Sequence, residues 1–190
     1  YVARLYKWKK YKKYNNDTDL LMNPLSDYSE NYKINIMQNE TIYTFRLSDL
    51  LNIWNNALKK STCLVSKPCF PKNPYNNLII KPHNLINIFI KIKDTGFNVP
   101  CLIFYFWKCN FNINKFKFET APILKDITIE NYIEEGDVDT LYFEINRMLF
   151  TLRYQINNRM ITLDDTIENK KYVVKTLKPY LKDYLISSET

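Results

Sequence analysis

The chain has 190 residues, a formal charge of +7 and an apolar content of 46%, which suits one core-forming domain or one domain with an appended arm. Glycine occurs only at Gly96 and Gly136, which removes the phosphate-cradling loops of nucleotide enzymes. Four unpatterned cysteines favour a reducing compartment over a disulfide framework, and the longest apolar run, 99–107, is about half of the roughly 20 residues a spanning helix needs.

The first fourteen residues hold six cations and no acid: Arg4, Lys7, Lys9, Lys10, Lys12 and Lys13, interleaved with Tyr6, Trp8 and Tyr11. Removing them leaves a formal charge of +1, so the basicity is an attached feature. Cations beside aromatic rings suit a polyanion, or a partner that takes aromatic anchors. Arg4, Lys7, Trp8, Lys9, Lys10, Tyr11, Lys12 and Lys13 are therefore the candidate arm, and Tyr1, Leu5 and Trp8 recur at helical spacing. The sequence opens on a tyrosine, so 1–14 is treated as an arm whether or not chain precedes it. Residues 15–32 are polar, contain Pro24 and read as a connector.

Residues 33–37 and 41–45 alternate apolar and polar around Gln38-Asn39-Glu40, which predicts a hairpin with a glycine-free turn. Ser48 is placed to cap a helix over 49–59 whose apolar face is Leu50, Leu51, Trp54 and Leu58. Residues 61–82 hold Pro68, Pro71, Pro74 and Pro82 and cannot be regular helix or central strand. Within them Phe70, Asn73, Pro74 and Tyr75 mark an ordered crossover. Its plain reading is structural, with Phe70 and Tyr75 plugging the core; its functional reading is a preorganised binding loop.

Residues 84–95 fit a helix through Leu85, Ile88, Phe89 and Ile92, or a strand through Ile86, Ile88, Ile90 and Ile92. Pro82, Asn84 and Gly96 favour the helix. Residues 99–109 read as a buried helix, 111–118 stays open, and 128–135 reads as a short helix stopped by Gly136. Asp139 is placed to cap a helix over 140–153, and Asp164 or Asp165 opens a final helical pair interrupted at Pro179. The expected fold is α+β, mainly α: a basic arm and connector over 1–32, then a single domain over 33–190 with a small hairpin and a proline-rich crossover.

No catalytic constellation emerges. The cysteine spacings at Cys63, Cys69, Cys101 and Cys109 lack a tight zinc knuckle, and His83 is the one histidine. The acids Glu134, Glu135, Asp137 and Asp139 fit a helix start rather than a calcium loop. No metal, cofactor or enzymatic activity is expected.

The string Pro71-Lys-Asn-Pro-Tyr-Asn-Asn77 follows Ser48-Asp-Leu-Leu51 and precedes Asn84-Leu-Ile-Asn-Ile-Phe89. That order resembles a largely uncharacterised family from giant nucleocytoplasmic large DNA viruses. The family pairs an Asp-Leu-Leu helix with a Lys-Asn-Pro-Tyr-Thr-Asn-like stretch, often behind a basic arm; Asn76 stands where threonine is usual. The resemblance covers about residues 1–110 and supplies no catalytic residue. The 23 asparagines and 21 isoleucines agree with an AT-rich genome. The resemblance implies viral origin. With no catalytic constellation, an aromatic-rich body and an arm suited to reaching a neighbour, the expected protein is a non-enzymatic virion component, a minor capsid or capsid-lining protein located in the virion and, during assembly, the host cytoplasm. Its expected partners are other viral structural proteins. The alternative is a nucleic-acid-associated factor of genome packaging or gene expression, contacting nucleic acid through residues 1–14.

Overall fold

The computed structural model describes residues 11–153 and 166–188. The fold is α+β and mainly helical, with a small sheet near its start. Where the sequence reading treats 33–190 as one domain, the described residues divide into two compact units: 11–58 with 68–119, and 59–67 with 120–153 and 166–188.

The first unit opens on β1 (Lys12–Lys13), followed by the hairpin of β2 (Lys33–Gln38) and β3 (Thr41–Arg46), in the sheet order β1-β3-β2. β2 and β3 pair antiparallel from Lys33↔Arg46 to Gln38↔Thr41, and β1 runs parallel to β3 with Lys12 opposite Thr41. The hairpin turns on Asn39 and Glu40, both at positive φ (48° and 59°), the two-residue geometry that matches strand twist. Asparagine tolerates this conformation and stands in for the missing glycine here, at Asn77 and at Asn110.

Helix α1 (Leu47–Lys59) starts directly at the end of β3. Ser48 therefore lies inside its first turn and is not its cap. Leu47 is fully buried, and Asp49 accepts the backbone N–H of Leu20 at 3.0 Å. Helix α2 (Pro82–Asp94) has Pro82 at its first position. It buries Leu85, Ile88, Phe89 and Ile92 and exposes Ile86 and Ile90, which excludes the strand pattern. Helix α3 (Cys101–Lys108) buries Leu102, Ile103 and Phe106 but exposes Cys101 and Phe104, so it is half-buried rather than buried throughout. The segment left open in the sequence is helix α4 (Ile113–Glu119). Phe106 is the centre of an aromatic core, with edge contacts to Phe70, Phe111 and Phe116 at 5.3–5.5 Å.

The second unit holds a minimal hairpin, β4 (Ser61–Thr62) with β5 (Val65–Ser66), and three helices: α5 (Ala121–Glu135), α6 (Val138–Leu152) and α7 (Ile167–Ser188). Asn131 of α5 donates to the Ser61 hydroxyl of β4 at 3.5 Å and to the Lys59 carbonyl just before it, which ties the hairpin to the helix. Ile129, Ile133, Leu141, Ile145, Met148, Val174, Leu181 and Leu185 form the core. Helix α5 starts earlier than 128. Asp137, not Asp139, caps α6, accepting both the N–H and the hydroxyl of Thr140. Those bonds hold its carboxyl below the ordinary value. Asp139 instead pairs with Lys170 at 2.9 Å. The expected final pair is one helix: α7 runs through Pro179, held on either side by buried Val173, Val174, Leu181 and Leu185. Asp164 and Asp165 lie outside the described residues. Among those described, no helix is long and apolar enough to cross a membrane.

Candidate functional site

Residues 15–32, read from the sequence as a connector, are part of the first unit. Asn16 donates to the Thr44 carbonyl at 2.7 Å. Asp19, with its side chain fully buried, accepts from the backbone N–H groups of Leu21 and Asn23, the Asn23 amide, the Tyr28 hydroxyl and Arg46. Burial pushes this carboxyl up, but the hydrogen bonds from Asn23, Tyr28 and Leu21 outweigh it, and its pKa lies below the ordinary value. Asp19 thereby builds a tight loop whose tip exposes Leu21 (72%) and Met22 (79%), the latter at φ 66°.

The proline-rich crossover is ordered but anchored differently from the expectation. Phe70 is half-buried against Phe106, and Pro74 is exposed. Tyr75 is half-buried, its ring within 4.9–6.1 Å of Tyr14, Tyr43 and Phe45. Burial raises its phenol pKa, offset in part by the hydrogen bond from Asn16. The deepest anchor is Asn73, fully buried. Its amide nitrogen donates to Gln38 Oε1 at 2.8 Å, and its Oδ1 accepts the Tyr75 N–H. Gln38 also donates to the Ile79 carbonyl at 2.9 Å and accepts from Asn76. One glutamine at the end of β2 thus clamps both sides of the loop 73–79. The sequence reading missed Gln38; its only signal is a polar residue at an inward-facing strand position.

Between the hairpin turn and this clamped loop lies an open cleft of about 640 Å³, within the roughly 300–1,000 Å³ usual for binding sites. Its apolar lining is Met37, Leu78 and Ile79; its charged rim is Lys72, Lys81 and Glu40, and His83 also lines it. Leu78 and Ile79 are 39% and 52% exposed. Tyr11 of the arm also lines it. Lys12 and Lys13 continue from Tyr11 as β1, so the last part of the arm is extended backbone of the sheet rather than helix. The Lys12 N–H donates to the Glu40 carbonyl and the Tyr14 N–H to that of Ile42. Arg4, Lys7, Trp8, Lys9 and Lys10 lie outside the described residues.

Of the four cysteines none lines the cleft. Cys69 donates to the Ala57 carbonyl, and Cys109 is buried against Glu119 with its thiol pKa raised by burial and by that carboxylate. Among the described residues no three histidine, cysteine or acidic side chains converge as metal ligands would. The cleft combines a wall clamped by Gln38, an apolar floor and lysines without an ion-pair partner among the described residues. Comparison with protein-family models, curated proteins and solved structures finds no match for this chain.

Proposed function

We propose that the protein is a non-enzymatic structural or interaction protein of a viral particle, a minor capsid or capsid-lining component that docks through the basic aromatic arm. One observation carries the reading. The root of the arm, Tyr11–Tyr14, is built into the sheet, with two strand hydrogen bonds and the Tyr14 ring 5.0 Å from Tyr43 and 4.9 Å from Tyr75. The cations of 1–10 are thereby tethered to a fixed point beside an open cleft. The viral setting rests on the motif order around Lys72-Asn-Pro-Tyr75, and the proposed location is the virion and, during assembly, the host cytoplasm.

The rival is a nucleic-acid-associated factor, favoured by the exposed Lys12 and Lys13 beside Tyr11. Titrating duplex and single-stranded DNA against the full chain over a range of salt separates the two. Tight binding with a steep salt slope supports the rival. Weak binding, together with recovery of the protein from purified particles by mass spectrometry, supports the structural role. Absence from particles overturns it.

A further inference from the structure

The first unit carries opposite chemistry at the two ends of its β2–β3 hairpin. At the turn end are the cleft, with Met37, Leu78 and Ile79 as its floor, and the cations Lys72 and Lys81. Neither lysine has an ion-pair partner among the described residues, and β1 adds Lys12 and Lys13 at the same end. At the open end is the Asp19 loop, bonded to Arg46. Residues 15–32 contain Asp17, Asp19, Asp27 and Glu30 and no lysine or arginine. Asp19 and Glu30 are paired with Arg46 and Lys33, which leaves Asp17 and Asp27, on either side of Leu21–Met22 in sequence, as exposed acids without an ion-pair partner among the described residues.

We infer that the cleft receives the Leu21–Met22 loop of a second copy of this chain, so that copies associate head to tail. Three features support this occupant. The loop offers two apolar side chains with the exposed acids Asp17 and Asp27 on either side in sequence, and the cleft offers an apolar floor whose rim has two lysines against one acid, Glu40, a match in hydrophobicity and in net charge. The loop is held rigid by five donors on one buried carboxylate, so little freedom is lost when its tip docks. Five strand steps separate the two ends, about 17 Å, so loop and cleft of one molecule cannot meet. A contact between different patches is heterologous: it generates rings where the rotation closes and open arrays where it does not. A contact made by a two-residue loop tip is small, so each one is expected to be weak and its effect to come from repetition.

This inference deepens the proposed assembly role by naming one partner, yet it does not depend on the arm. The test is sedimentation velocity on the full chain over a concentration series. The loop variant is Leu21→Ser with Met22→Asn, exposed changes, the second of which eases a positive φ. The cleft variant is Lys72→Glu with Lys81→Glu. Circular dichroism confirms that each folds. Wild type is expected to self-associate with concentration, and more weakly as salt shortens the screening length from about 10 Å at 0.1 M to about 3 Å at 1 M. Each variant alone is expected to associate at least about tenfold more weakly. A one-to-one mixture of the two retains one intact loop and one intact cleft, and is expected to form dimers that stop there. Removing residues 1–10 leaves self-association in place while abolishing arm-dependent docking.

A wild type that stays monomeric throughout the series overturns the inference, whatever else binds in the cleft. So do variants that associate like wild type, a mixture that forms no dimer, or loss of association on removing residues 1–10.

Discussion

The side chains of Gln38 and Asn73, thirty-five positions apart, meet in a 2.8 Å hydrogen bond that fastens the proline-rich crossover to the hairpin. Both are buried, so leaving either amide without its partner is costly. Asn73→Ala removes the donor to Gln38 and the acceptor for the Tyr75 N–H. It should cost about 2–3 kcal/mol, read as a lowered Tm. Tyr75→Ala should cost about 3 kcal/mol through its ring contacts. A Tm unchanged by Asn73→Ala would show that the crossover is held by its prolines alone.

The Asp19 carboxylate sets the acid limit of the first unit. Its folded pKa is below the ordinary value of about 3.9, so the stability it contributes is fully present above that value. It is lost as pH falls through the lower, folded value. Asp19→Asn should lower Tm near neutrality and flatten the fall of Tm below about pH 4. Parallel acid limbs for wild type and variant would assign the acid sensitivity to other carboxylates.

What the sequence made legible follows from local periodicity. The hairpin alternates, and α1, α2 and α6 present apolar stripes, so their existence and faces are readable. Boundaries moved where two residues of the same chemistry lie close together: Asp137 rather than Asp139 caps α6 because its side chain reaches Thr140. Pro179 reads locally as a break, yet buried side chains on both sides keep α7 continuous. The 15–32 segment reads as linker because polarity in a sequence does not distinguish a solvated aspartate from one buried under five donors. The Gln38–Asn73 bond has no local signature, and with it the cleft was invisible.

The two glycines should respond to alanine for different reasons. At Gly136 a Cβ would stand 2.6 Å from the Tyr132 carbonyl oxygen and 3.0 Å from Leu141, a backbone clash that should cost about 2–3 kcal/mol. At Gly96 nothing lies within 4 Å, but φ is +70°. There alanine should cost about 1–2 kcal/mol from conformation alone. Asparagine, at ease in that region, should recover part of the loss at Gly96 and none at Gly136. Differential scanning calorimetry of the four variants checks both statements.

Among the described residues strand pairing begins at Lys12, so deleting 1–10 and deleting 1–14 remove different things. Removing 1–10 takes away Arg4, Lys7, Lys9 and Lys10 and lowers the formal charge from +7 to +3 while leaving β1 intact. Removing 1–14 also strips two strand hydrogen bonds and the Tyr14 ring from Tyr43 and Tyr75. At about 1 kcal/mol for each hydrogen bond and for the ring contacts, the longer deletion should lose about 3 kcal/mol. The shorter should melt like the full chain. Binding then distinguishes the partners. For a nucleic acid, the shorter deletion should reduce the salt slope by up to about four. For a capsid neighbour, Trp8→Ala should weaken docking more than any single lysine, because aromatic anchors dominate such contacts. Should the shorter deletion assemble into particles and bind nucleic acid as the full chain does, residues 1–10 are not the docking element.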